Sequence, residues 1–197
     1  RQRQMCIRDS NRRIVMSKLL FDDFILYKKI DDSIVKEYAA RVPSELIEIW
    51  EHYGFGTIKG GYLKIINPSE WLDILAESYY VDKGSIPIFV TGMGDIIIFD
   101  SKGYFMMINY RKKIMKGVGK RINTFFMMLG SESVLVEQFS WNPYLEAVER
   151  YGRLEYDECF GYVPLLGLGG AERVENLQKV KIKERIQIIT DFMGPIK

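Results

Sequence analysis

Ile86-Pro87-Ile88-Phe89-Val90-Thr91, Asp95-Ile96-Ile97-Ile98-Phe99-Asp100 and Tyr104-Phe105-Met106-Met107-Ile108-Asn109-Tyr110 are three apolar, β-rich runs of strand length. Gly92-Met93-Gly94 separates the first pair, and Ser101-Lys102-Gly103 follows Asp100 to separate the second. Runs of this length bounded by turn formers read as consecutive antiparallel strands, a β-meander. A further basic strand is expected over residues 111–118.

Upstream of the meander the period is helical. Leu20, Phe21, Phe24 and Ile25 recur at near-helical spacing, and Ile34, Val35 and Tyr38 repeat the pattern after Asp31-Asp32-Ser33, so two short helices are expected. Pro43-Ser44-Glu45 opens a third, with Leu46, Ile47, Trp50 and Tyr53 on one face. Gly54 and Gly56 follow as left-handed termination. Gly60-Gly61 turns into a strand over residues 62–66. Asn67-Pro68-Ser69-Glu70 then places an N-cap, a proline and a capping-box glutamate in register, launching a helix with Leu72, Leu75, Ala76 and Tyr79 on one face.

Downstream, apolar helices are expected over 124–129 and 134–139. Asn142-Pro143 reads as a second cap-plus-proline start, with Gly152 as the stop. Phe160-Gly161-Tyr162-Val163-Pro164-Leu165-Leu166-Gly167-Leu168-Gly169-Gly170 reads as a strand with turns. Ile182, Ile186, Ile189 and Met193 share a helical face that Gly194-Pro195 ends. The expected class is α+β: N-terminal helices packed on a mainly antiparallel sheet, followed by a smaller helix-rich α/β C-terminal lobe. The expected divisions are 1–15, 16–118 and 119–197.

The chain has 197 residues, 47% apolar and 27% charged, the composition of a folded globular protein large enough to bury roughly 70% of its unfolded surface. No apolar run approaches the ~18 residues of a membrane span. Residues 1–15 have neither helix period nor strand alternation and precede Met16, so they read as a non-native leader or a disordered arm. Five Arg and one Asp lie there. Without them 28 basic and 26 acidic residues become 23 and 25, and the formal charge of +2 becomes −2. The same cut leaves Cys159 as the single cysteine, which excludes an internal disulfide and fits a reducing cytoplasm.

Few residues suit catalysis. His52 is the sole histidine, which removes His-based metal clusters and paired imidazoles within one chain, and it reads as a polar flank of the helix holding Trp50 and Tyr53. Cys159 has no second cysteine after Met16 to form a redox pair. Gly117-Val118-Gly119-Lys120 is followed by Arg121 rather than Ser or Thr, so it fails as a P-loop, and Gly167-Leu168-Gly169-Gly170 lacks the dinucleotide spacing; both read as turns. No catalytic, cofactor or metal residues are assigned.

Two charge clusters remain. Arg111, Lys112, Lys113, Lys116, Lys120 and Arg121 place six cations within eleven residues. They read as the solvated edge of a sheet, with nucleic-acid binding as the alternative. Glu155-Tyr156-Asp157-Glu158 joins three acids to an aromatic in an expected loop. Glu155, Asp157 and Glu158 are the candidate contacts for a basic protein partner, because an acidic patch attracts a cationic surface and steers its approach. The bland alternative is an exposed loop.

The element over residues 42–56, the following Gly61-Tyr62-Leu63 and the Ile66-Asn67-Pro68-Ser69-Glu70-Trp71 start together resemble GAD-like domains. The glycine-rich block from Phe160 through Leu177, with the tail ending at Ile196, resembles the Tdi-type C-terminal domain of immunity proteins against type VI secretion DNase toxins. The first element is shared in outline with SUKH immunity proteins. The resemblance implies a bacterial cytoplasmic antidote, not an enzyme, that needs no cofactor and binds a cognate toxin, typically a DNase, with no membrane association and no direct nucleic-acid binding. Trp50, Gly54, Gly56, Asn67, Pro68, Trp71, Gly169 and Gly170 are its structural motif residues: Trp50 and Trp71 as core anchors and the glycines as turns.

Overall fold

The computed structural model describes residues 20–197, so the reading of residues 1–15 lies outside the described residues. Seven strands follow one another in both sequence and space: β1 (Ile25–Lys28), β2 (Phe55–Ile58), β3 (Leu63–Ile65), β4 (Ile86–Thr91), β5 (Ile96–Phe99), β6 (Phe105–Asn109) and β7 (Ile114–Gly119). Every neighbouring pair is antiparallel. The expected meander is therefore the centre of a larger one.

Helices enter at two of its connections. α1 (Asp32–Tyr38) and α2 (Ser44–Tyr53) lie between β1 and β2, and a 3₁₀ turn (Pro68–Glu70) with α3 (Leu72–Ser78) lies between β3 and β4. After β7 come α4 (Ile122–Gly130), α5 (Glu132–Gln138) and α6 (Trp141–Tyr151). β8 (Glu158–Tyr162) and β9 (Leu177–Lys181) then form a separate antiparallel pair, and α7 (Ile182–Met193) follows. The class is α+β.

The meander separates two apolar cores. Ile97 in β5 joins a cluster with Trp50 of α2, Phe125 of α4 and Tyr144 of α6, while its neighbours Ile96 and Ile98 join a second cluster with Leu75 of α3 and Ile186 of α7. Successive strand residues point to opposite faces, and here both faces are covered, which is why β4 and β5 read as continuous apolar runs rather than alternating ones. Each such side chain contributes roughly 1.5–3 kcal/mol by leaving water. Both clusters draw on residues from before and after 118, and the Phe160 N–H donates to the Gly92 carbonyl at 2.8 Å, so the C-terminal elements share the sheet's cores.

Pro87 lies within a central strand, where a proline removes a ladder donor. The β4–β5 register shifts between Pro87 and Phe89, and this bulge accommodates it. The bulge also changes the alternation, so that Ile86, Ile88 and Phe89 all enter the first cluster.

Between the covered faces lies one buried ion pair. Arg111, just after β6, donates from Nη2 to Asp95 Oδ2, just before β5, at 2.7 Å, with side chains 3% and 1% exposed. Burial pushes the Asp95 carboxyl up, and the Arg111 guanidinium opposes that shift. Thr91 Oγ1 accepts from the Asp95 N–H at 3.1 Å, tying the pair to the β4–β5 turn. Arg111 is thus a core residue and no part of a basic surface.

Several local expectations are corrected. Phe24 and Ile25 leave the helical pattern: the helix containing Leu20 and Phe21 ends there, and Ile25 opens β1 because its backbone pairs with Thr57. Gly54 has the expected left-handed φ of 79°, but Gly56 does not; it sits in β2, where a Cβ would lie 2.3 Å from the Ile25 carbonyl oxygen. Its lack of a side chain serves close strand approach. α6 begins at Trp141, and Ser140, with φ 52°, precedes it. Pro143 falls inside the first turn, where amide donors have no helical partner. Gly117 and Gly119 belong to β7 rather than to a turn, and β9 is a strand that the 3.6-residue pattern starting at Ile182 obscured. Asn67 caps the short 3₁₀ turn rather than α3 itself: it accepts from the Ser69 N–H at 3.1 Å and its amide donates to Glu70 at 3.1 Å, while α3 begins after Trp71 without a side-chain cap. Trp50 is fully buried and Trp71 is 6% exposed. Gly169 adopts φ 83° after a short 3₁₀ turn, and a Cβ at Gly170 would lie 2.2 Å from the Pro164 carbonyl oxygen.

Two stability tests follow from these contacts. Gly54→Val combines a left-handed φ with a Cβ 2.7 Å from the Lys28 carbonyl oxygen, and should lower stability by about 2 kcal/mol in urea unfolding. Arg111→Met leaves a buried carboxylate without its cation and should cost about 3–5 kcal/mol. Asp95→Asn combined with Arg111→Met should cost clearly less than the two single changes added, which a double-mutant cycle measures.

Candidate functional site

The acidic segment lies where α6 has ended and β8 begins. Gly152, with φ 80°, stops α6, and the chain turns through residues 153–157. Glu155 and Asp157 are exposed, whereas Glu158 is half-buried as the first residue of β8 rather than a loop position. The three carboxylates are not equivalent. Lys181 at the end of β9 pairs with Asp157 at 2.8 Å and with Glu158 at 3.6 Å, because the β8–β9 register sets Glu158 opposite Lys181. Glu158 also accepts from the Glu155 N–H at 3.0 Å. Glu155 makes no ion pair among the described residues.

The segment is anchored to the sheet through two side chains, Tyr156 and Lys64. The Tyr156 hydroxyl donates to the Ile65 carbonyl at 2.6 Å, and its ring stacks on Tyr27 of β1 at 3.8 Å with planes 8° apart. From the middle of β3, Lys64 reaches the Glu155 carbonyl at 3.2 Å and the Gly61 carbonyl at 3.5 Å. Lys64 is fully buried, and burial lowers its ammonium to about 8, a shift that Cys159, Glu158, Asp157 and Glu155 resist. A lysine between Leu63 and Ile65 gives no sequence signal of this role, since alternation alone places it on a wet face.

Beside this segment runs an acidic groove. Glu70, Asp73 and Glu77 on the α3 side and Glu184 on α7 line a shallow, open groove of about 670 Å³ together with Ile74 and Ile188. Glu70 pairs with Lys28 at 3.5 Å, while Asp73, Glu77 and Glu184 make no ion pair among the described residues. Lys183, the cation of the groove, is occupied: it donates to the Glu70 carbonyl and lies 5.1 Å from the Trp71 ring centre. Ile188 and Phe192 are 45% and 65% exposed one turn apart on α7. The i, i+4 spacing of Asp73 with Glu77, and of Glu184, Ile188 and Phe192, shows each outward face in sequence. Only the packing of α3 on α7 brings the two together.

The basic cluster does not form one surface. Arg111 is buried, Lys112 pairs with Glu172 at 2.8 Å, and Lys113 donates to the Met193 carbonyl. Lys116 donates to the Gln138 carbonyl at 2.5 Å, and Lys120 lies 5.5 Å from the Tyr104 ring centre. β7 is an edge strand of the sheet. His52 is exposed and packs edge-on against Tyr53 at 4.5 Å, and Cys159 is buried, its thiol pushed up to about 12 by that burial. Among the described residues no three His, Cys, Asp or Glu side chains gather to hold a metal ion, and no helix is long and apolar enough to cross a membrane.

The family described as GAD-like domain matches residues 18–111, and the family described as T6SS immunity protein Tdi1, C-terminal, matches residues 120–193. The chain thus matches a GAD-like domain followed by a Tdi1-type C-terminal domain, the two families its sequence resembles. The GAD-like match spans β1 to β6 with their helices. The Tdi1-type match spans α4 to α7, so α3 and α7, the two walls of the acidic groove, come one from each. The fold is similar to that in the crystal structure of Atu4351 from Agrobacterium tumefaciens, with a TM-score of 0.70 at 18% identity over 86% of each chain. No curated protein matches the chain in sequence.

Lys64 gives the site a pH signature. Its folded value of about 8 lies below its ordinary 10.5, so between these limits the unfolded chain binds more protons and stability rises with pH. Below about 8 both states are protonated and the cost of burying the charge is constant. From about pH 7.5 to about pH 9.5 the urea midpoint of the wild type should rise relative to that of Lys64→Met, which lacks the titrating group.

Proposed function

We propose that the chain is a non-catalytic cytoplasmic immunity protein that binds a nuclease toxin of the type VI secretion system and blocks it in a stable complex. The observation carrying this reading is the Tdi1-type match over residues 120–193. The acidic surface supports a nuclease as the partner: an enzyme that grips DNA presents cations, and carboxylates without local counter-charge attract them and speed encounter. Glu155 is the free acid of the segment first nominated, while Asp157 and Glu158 are partly neutralised by Lys181. Asp73, Glu77 and Glu184, with Ile188 and Phe192 between and beyond them, extend that surface and add apolar anchors. We assign the GAD-like part to 16–118 and the immunity part to 119–197, with the partner contacting both. The alternatives of a SUKH-like antidote to another toxin, or nucleic-acid binding through residues 111–121, gain no specific observation.

Co-expression with the toxin encoded beside it should rescue a bacterial host, and the two proteins should co-purify. Glu155→Lys with Asp157→Lys, and separately Asp73→Lys with Glu77→Lys, should each slow association about tenfold at low salt, with the difference shrinking as salt rises. Rescue with no detectable complex would overturn inhibition by binding. Unchanged association in both folded double variants would discard the acidic surface.

A further inference from the structure

We propose that β1, one edge of the seven-stranded sheet, is a self-association surface on which two copies of the chain pair antiparallel about a two-fold axis. This inference is independent of the toxin reading. The two edges of the sheet are built differently. The opposite edge, β7, carries Lys116 and is flanked by Lys112, Lys113 and Lys120, a familiar protection against strand pairing. β1 has four exposed residues in a row, and Ile25, Leu26 and Tyr27 are 58%, 48% and 61% exposed. It pairs with β2 on one side, and no described strand lies on the other.

The flanking charges indicate what fits there. The chain reads Asp22-Asp23-Phe24-Ile25-Leu26-Tyr27-Lys28-Lys29, acidic before the strand and basic after it. An antiparallel partner reverses direction, so a second copy sets its lysine end beside the aspartate end of the first, and the two-fold axis repeats this at the other end. A parallel copy would set like charges together. Asp22 and Lys29 are exposed and make no ion pair among the described residues, so both are available. Asp23 and Lys28 are partly committed: the Asp23 carboxylate accepts from the Lys59 N–H at 2.9 Å and the Gly60 N–H at 2.5 Å, and Lys28 pairs with Glu70 at 3.5 Å. The strand is four residues long and its register with β2 shifts at Tyr27, so the shared edge is short. A small interface of this kind gives a reversible dimer of micromolar strength rather than an obligate one.

Sedimentation of the full chain across the micromolar range tests this. The wild type should pass from monomer to dimer with concentration. Lys29→Glu should weaken the dimer about tenfold by facing Asp22 with a second acid at both ends, and Asp22→Lys combined with Lys29→Glu should restore it. Ile25→Lys should weaken it at least as much, since it places a cation on the apolar stretch in both copies. Unchanged thermal midpoints for these exposed substitutions establish that the fold is intact. A wild type that stays monomeric throughout, or a dimer indifferent to both Ile25→Lys and the charge reversals, would overturn the proposal.

Discussion

The organisation of this chain depends on a sheet whose central strands are dry on both faces. An antiparallel meander often leaves one face to water, but Ile96 and Ile98 point one way and Ile97 the other, and all three are fully buried. Each face therefore needs its own helical layer. The first is covered by helices from both halves of the chain, and the second by α3 and α7, which are far apart in sequence. The buried Asp95–Arg111 pair sits at two strand ends and meets through a single Nη2–Oδ2 contact, so each charge depends on the other for its compensation in this dry setting.

That arrangement explains why the candidate partner surface is composite. α3 enters through a connection inside the meander and α7 through the end of the β8–β9 pair, and their outward acids meet because their inward apolar faces share one cluster. The acidic segment is joined to the same side of the molecule through Tyr156, Tyr27 and Lys64, which draw on β1 and β3. A partner engaging this side would touch both matched families at once. Local neutralisation also sets a hierarchy among the acids. Lys181 holds Asp157 and Glu158 in place, leaving Glu155 and the groove carboxylates with more uncompensated charge.

Much of the fold was legible because its signals are local. The strands over 86–110, the stop at Gly54, the cap at Asn67 and the face of α7 each follow from residues within a few positions of one another. The failures share a cause, which is that distant partners decided them. Ile25 became a strand residue because Thr57 pairs with it, and Gly56 is needed because β1 passes close above it. Arg111 left its cationic neighbours for Asp95. The site was legible only in part: Glu155, Asp157 and Glu158 stand out as a run, but the charge left on each depends on Lys181, and the groove has no sequence signature until two helices are packed.

The chain near Ile196 closes the second face by bonding to the end of α3: the Ile196 N–H donates to the Ser78 carbonyl at 2.9 Å, the Tyr80 N–H donates to the Ile196 carbonyl at 2.8 Å, and Tyr79 bridges Ile196. More than a hundred residues separate these partners, so the loop must be closed before the contacts can repay its entropy. Four of the sheet's pairings, β2–β3, β4–β5, β5–β6 and β6–β7, close over short turns, but its second core must await this long-range encounter. Until that encounter the face lined by Ile96 and Ile98 lacks part of its cover and stays open to other chains. The time spent in that state, more than the stability of the finished molecule, then governs how much of the protein escapes aggregation.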